Sequence, residues 1–225
     1  MSSQHVEIVF QVVAFLFAIS VHESAHAYVA WRCGDPTARM LGRVTLNPIK
    51  HIDPWGTVII PAICIATGFP VIGWAKPTPV NSRNFKNVMR SDILTSMAGP
   101  ISNLLVAVAA VAVLLVISVT SANGKLLVHG IAEGMIIGSS PMVPICLLLY
   151  WGMLINVLLA VFNVIPIPPL DGSHVLRHFI PPSMLRAYEI AGTVGFLLLF
   201  LVGGRVLMVM MAPFVNFFRA LLMGV

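Results

Sequence analysis

The sequence predicts an all-α polytopic membrane protein with about four to five transmembrane helices, a re-entrant hairpin and a small membrane-associated β-sheet. Three observations carry that expectation. Of 225 residues, 58% are hydrophobic and only 9% are charged, where a soluble domain carries about 25% charged residues. Mean hydropathy is +0.96. The apolar residues gather into runs of about 20, the length that crosses a bilayer, and the basic residues fall in the short loops between them.

The elements follow in chain order. Residues 8–30 form a first span. Residues 93–119 form a second, with no charge from Ile93 to Asn123, and 142–165 a third, inside the uncharged run Met135–Leu170. Residues 187–204 form a fourth, and 206–223 is either a fifth span or a helix lying at the interface; together they make the C-terminal hydrophobic helices, 187–225. Between the first two spans lies `WGTVIIPAICIATGFPVIGWA` (55–75). The loop before it carries Arg32, Arg39, Arg43 and Lys50, and the loop after it Lys76, Arg83, Lys86 and Arg90. Lys and Arg concentrate in cytoplasmic loops, so both loops belong on one side. A single crossing would separate them. Pro61, Gly68, Pro70 and Gly73 also interrupt a straight helix, so 55–75 reads as a segment that dips in and returns. Such backbone is tolerated at depth only where protein or a cavity covers it. The stretch `ARMLGRVTLNPIKHIDPWG` (38–56) reads as short strands with turns at the cytoplasmic face.

Residues 1–7 hold no Lys or Arg and start outside, and alternation does the rest: the first span runs inward, the second outward to a loop at 120–141 that holds only Lys125. The N-terminus shows no basic n-region and no cleavage site, so it does not read as a removable signal peptide. The three cysteines, Cys33, Cys64 and Cys146, have no paired spacing and predict neither disulfides nor a cysteine metal site. The sequence pI of about 9.5 does not indicate nucleic acid, because the positive-inside pattern accounts for the basic excess. The length fits one membrane domain, 1–225, with no polar stretch long enough for an inserted soluble domain.

The chemistry is concentrated in `VHESAHAY` (21–28). His22 and His26 stand one helical turn apart and share a face, so both imidazoles can bind one metal ion. Glu23 beside them can take a proton from an attacking water. An ionisable group in a membrane helix costs about 2.5–3.5 kcal/mol on insertion scales, and three within five residues require a reason. The bland alternative is a polar cluster joining helices. A catalytic zinc takes three protein ligands and leaves a position open. The candidate third ligand is Asp171 in `FNVIPIPPLDGSHVLRH` (162–178), the only acid between Glu133 and Glu189; its alternative is a helix N-cap. His174 and His178, also i,i+4, form a second conceivable pair, although a solvated histidine beside Arg177 is ordinary.

Taken in order, HExxH in the first span, `SMAGPISNLL` (96–105) and `FNVIPIPPLDG` (162–172) resemble the site-2 protease family of intramembrane zinc metalloproteases. `LGRVTLNPIKHIDPWGT` (41–57) and `GWAKPTPVN` (73–81) look like its compact bacterial branch, without PDZ or CBS domains. The resemblance implies one zinc per chain, held by His22, His26 and Asp171 (in the 166–180 segment), with Glu23 as general base. It implies that Asn163 contacts the substrate backbone and that strands around 38–56 pair with an unwound substrate. The implied partners are a transmembrane protein or peptide substrate and the lipid bilayer, with no nucleic acid. The implied place is the bacterial cytoplasmic membrane, with the active site towards the cytoplasm. Two other classes compete. A metal transporter would space polar groups along a path, whereas here they gather at one depth. A catalytically silent membrane module would lack part of the motif, and here it is complete.

Overall fold

The computed structural model describes residues 3–67, 73–135 and 140–224, with the side chains of 3–5, 65 and 199–208 left aside. Among the described residues eight α-helices follow in order: α1 Ser3–Arg32, α2 Thr37–Met40, α3 Ile60–Thr67, α4 Val88–Thr120, α5 Ala122–Ala132, α6 Val143–Val164, α7 Asp171–Arg177 and α8 Pro182–Met223. Among the described residues three stretches are long and apolar enough to cross a membrane: Val6–Arg32, Val88–Thr120 and Val143–Val164. Only 28%, 33% and 39% of their most apolar windows are buried within the protein. The remaining apolar side chains face outward, which lipid tolerates and water does not.

This corrects the expected count. The expected fourth and fifth spans, 187–204 and 206–223, are one continuous helix, the 42-residue α8. Gly203, Gly204 and Arg205, which lie where the two expected spans meet, do not break the helix, because each glycine costs a helix only about 1 kcal/mol. The side chains at 199–208 lie outside the described residues, and Val209–Met223 is a shorter apolar stretch of α8.

The expected β-sheet is also overturned: no strand occurs among the described residues. Segment 38–56 instead holds α2, a 3-10 turn at Pro48–Lys50 and the start of a π-helical turn at Pro54–Ile59. The reason is local. Pro48 and Pro54 have no N–H to give a ladder. Asn47 Oδ1 accepts from Ile49 N at 3.1 Å, and Asp53 Oδ1 accepts from Trp55 N at 3.0 Å and Gly56 N at 2.7 Å. Side-chain caps thus satisfy donors that a neighbouring strand would otherwise have to meet.

The backbone divides into two compact units. One comprises Met1–Ala18, Asn103–Ala160 and Val209–Val225. Its helices are joined by a buried amide relay: Asn103 Nδ2 donates to Ala18 O at 3.2 Å and to Asn156 Oδ1 at 2.7 Å, and Asn156 Nδ2 donates to Gly152 O at 2.7 Å. Such bonds between membrane helices contribute about 0.6 kcal/mol each on average. The loop expected at 120–141 contains α5, which starts on a Ser121 cap and buries Leu127, Val128 and Ile131; residues 136–139 of that loop lie outside the described residues.

The other unit comprises Ile19–Ser102 and Val161–Met208. Within it the segment expected to dip and return does bring its ends together: Trp74 N donates to Gly56 O at 3.1 Å and Thr57 Oγ1 to Trp74 O at 2.7 Å. Its middle, 68–72, lies outside the described residues. The chain then continues as a strap. Lys76 N donates to His51 O at 2.9 Å, and the Arg43 guanidinium donates to the carbonyls of Lys50 and Lys76. Farther on, Asp35 accepts from Asn81 N at 2.7 Å and Asn84 Nδ2 at 2.8 Å, tying the strap to the end of α1. Burial alone would raise the Asp35 pKa, but the bonds from Thr37, Asn84 and Asn81 outweigh it and hold the carboxyl below its ordinary value.

His51 makes this segment sensitive to acid. It is fully buried. Its Nε2 donates to Thr45 O at 2.8 Å, which leaves Nδ1 buried with no partner. Burial first, and the nearby Arg43 charge after it, hold its pKa below the ordinary value against the opposing Thr45 bond. An unfolded histidine takes its proton at about pH 6.5. The unfolded segment therefore binds a proton more readily than the folded one. Stability is complete above about pH 6.5 and falls as pH drops from there towards the folded value. Amide exchange across 43–57, corrected for intrinsic pH effects, is expected to quicken below about pH 6.5, and less so in His51→Gln. Equal protection on both sides of that pH in wild type would refute the expectation.

Candidate active site

Both histidines of the HExxH stretch lie in the second half of α1, each 7% exposed. The helical period puts them on one face, with ring centroids 4.6 Å apart and planes at 80°. The two Nε2 atoms are 3.0 Å apart. His26 Nδ1 donates to Thr95 O of α4 at 2.7 Å, which turns its Nε2 the other way, towards His22 and Asp171. A backbone carbonyl holding the far nitrogen is the usual way a ligating imidazole is oriented.

Asp171 reaches the pair from α7. Its Oδ2 lies 3.1 Å from His22 Nε2 and 3.3 Å from His26 Nε2. Among the described residues these three form the one group of three or more His, Cys, Asp or Glu side chains whose ligand atoms converge. Asp171 Oδ2 is buried and makes no aligned hydrogen bond to either neighbour, despite the short separations. That geometry fits a ligand set better than an ion pair. Zinc bonds of about 2.0–2.1 Å in a tetrahedron place ligand atoms about 3.3 Å apart, close to the three separations seen. Burial raises the Asp171 pKa, but the adjacent His22 and His26 outweigh it and hold the carboxyl well below the usual carboxylate range. The group is therefore the ionised form a cation requires.

Two glycines allow this approach. A Cβ at Gly99 of α4 would meet His26 Nε2 at 2.4 Å, so only glycine lets α4 lie against the histidine pair. A Cβ at Gly172 would meet Val164 O at 2.1 Å, so only glycine lets α7 tuck under the end of α6. These are the Gly of `AGPISN` and the Gly of `LDG`.

Glu23 lies beside the cluster and is partly buried. Thr78 Oγ1 lies 2.7 Å from Glu23 Oε2 and 3.0 Å from Glu23 O, and donates its one proton between them. Thr78 belongs to the strap, between Pro77 and Pro79. Sequence reasoning missed this residue; the signal was the flanking prolines, which keep the chain extended past α1. Thr95 was missed as well, because its contribution is a carbonyl that any residue supplies. Asn163 stands in the last turn of α6, partly exposed. His174 and His178 face Asp92 of α4.

Residues 10–202 match the family model for peptidase family M50. The chain belongs to that family. It is a membrane metalloprotease, and the likeness to the site-2 proteases read from its motifs holds. A Bacillus subtilis protein named "Putative zinc metalloprotease YwhC" is 38% identical over 186 residues, 83% of this M50 chain and 76% of the relative. Two mycobacterial proteins named "Putative zinc metalloprotease Rip2" are each 30% identical. The one from Mycolicibacterium smegmatis aligns over 83% of this chain and 63% of its own length, and the one from Mycobacterium tuberculosis over 91% and 68%. No solved structure matches this M50 chain.

Proposed function

We propose that this chain holds one zinc ion through His22 Nε2, His26 Nε2 and Asp171 Oδ2, and hydrolyses peptide bonds within transmembrane segments of other membrane proteins. The observation that carries this reading is the convergence of three ligand atoms, two imidazole nitrogens and a buried carboxylate oxygen that lacks an aligned hydrogen bond, 3.0–3.3 Å apart, beside the Glu23 carboxylate. The names of the relatives support zinc. Zinc supplies Lewis acidity there, lowering the pKa of a water towards about 7 and polarising a scissile carbonyl. Glu23 takes the proton of the attacking water and later delivers it to the leaving amine. Thr78 holds the Glu23 carboxylate in place between those transfers. Asn163, eight positions before Asp171 in the chain, contacts the substrate backbone. The distribution of basic residues supports an active site towards the cytoplasm and an N-terminus outside.

The test needs no substrate. Metal content by mass spectrometry in detergent-purified wild type is expected to be about one zinc per chain, with most of it lost in Asp171→Ala. A folded, freshly purified wild type without metal would sink the proposal.

A further inference from the structure

The catalytic reading leaves a second polar cluster unused. Asp92 lies in the first turns of α4. His178 Nε2 donates to Asp92 Oδ2 at 2.7 Å, and His174 Nδ1 lies 4.0 Å from Asp92 Oδ1. His174 belongs to α7 and His178 caps its C-terminus. The His178–Asp92 pair is largely withdrawn from solvent, each side chain 18% exposed. A 2.7 Å separation is a direct hydrogen bond, with no room for an ion between the two atoms. The cluster is thus a brace between α4 and α7 rather than a second metal site.

The brace matters because of what the two helices carry. Asp92, Thr95 and Gly99 follow one another at i, i+3 and i+7, which is one face of α4. Thr95 orients His26, and Gly99 admits the histidine pair. The same face therefore grips both sources of the converging atoms, α1 through Thr95 and Gly99, and α7 through Asp92. Asp171 is the first residue of a helix only seven residues long. A helix that short has almost no stability of its own, so its direction, and the aim of Asp171, depend on external anchors. Gly172 packed under Val164 O is one anchor at the N-terminal end. The Asp92–His178 bond is the anchor at the other end. A further tie, Arg177 to Glu189 at 3.9 Å, is exposed at both partners and contributes little.

We infer that Asp92 is a positioning residue for the metal centre: by bracing α7 through His178, with His174 alongside, it holds the Asp171 carboxylate against His22 and His26. This rests on the reading of those three residues as metal ligands. Outer partners of metal ligands typically change affinity about 10–100-fold when removed.

The experiment is a competition between zinc-loaded, detergent-purified full-length protein and a chelator of known affinity, followed by mass spectrometry, with thermal unfolding of the metal-free protein alongside. Asp92→Ala is expected to weaken zinc binding about 10–100-fold with little change in metal-free unfolding. Asp92→Asn, whose amide oxygen still accepts from His178, is expected to recover most of that loss. His178→Ala is expected to match Asp92→Ala, and the double variant to be no worse than either single one. The inference is overturned if Asp92→Ala binds zinc as wild type does, or if Asp92→Asn is no better than Asp92→Ala. Should Asp92→Ala fail to fold, His178→Ala decides: weakened binding supports the brace, and unchanged binding overturns it. A wild type without zinc would instead defeat the metal reading itself. Zinc retained by wild type, lost by Asp171→Ala and unaffected in Asp92→Ala would defeat the brace alone.

Discussion

Glu23→Gln is expected to lower turnover about 10²–10⁴-fold, the range that a general base contributes, while metal content stays at the wild-type level. Glutamine keeps the size of the side chain, and its amide oxygen still accepts the Thr78 hydroxyl that lies 2.7 Å from Glu23 Oε2. What it lacks is a site for the proton. Glu23 is not among the three converging ligand atoms, so its replacement leaves the donor set intact. The check is cleavage of a transmembrane peptide by purified wild type and variant, with metal measured on the same samples. Turnover within a few-fold of wild type would remove Glu23 from the mechanism. Loss of metal together with activity would make it a structural residue of the site.

Among residues that are not themselves ligands, Gly99→Ala is expected to disturb the metal site strongly. The added carbon would sit 2.4 Å from His26 Nε2, 2.5 Å from His22 Cε1 and 2.6 Å from His22 Nε2. No carbon approaches so closely, so either the histidine pair turns away or α4 withdraws and takes the Thr95 carbonyl with it. Either movement spoils the convergence on Asp171. We expect metal affinity to fall at least about tenfold, by the same logic that governs any disturbed ligand orientation, and activity to fall with it. The helix itself should not suffer, because alanine is favoured over glycine in a helix interior by about 1 kcal/mol. Chelator competition and thermal unfolding together check this. Wild-type metal affinity in Gly99→Ala would show that the contact between α4 and the histidines is not part of the site.

The parts of this protein that could be read in advance are those set by residues close together in the chain. Spans at 8–30, 93–119 and 142–165 were readable because about 20 apolar residues in a row have one low-energy home, and the helices α1, α4 and α6 occupy those positions. That His22 and His26 share a face follows from a period of 3.6 residues and needs no tertiary information. The 38–56 segment failed for a related reason. It read as short strands with turns, but a strand exists only if another strand lies beside it, and here Asn47, Asp53 and Arg43 take up the backbone groups instead. The break expected within 187–223 failed because helix hydrogen bonds are local, and one charge after two glycines does not interrupt them.

The sequence by itself determined the membrane character, the three long apolar helices and the paired histidines, because local periodicity and composition decide them. Only the tertiary structure decided what meets the histidine pair. His26 and Thr95 are 69 positions apart, Glu23 and Thr78 are 55, and Asp92 and His178 are 86. Nothing in a local pattern records such a bond. Each exists because packing first brought two helices, or a helix and the strap, within reach, and buried polar groups then had to find partners.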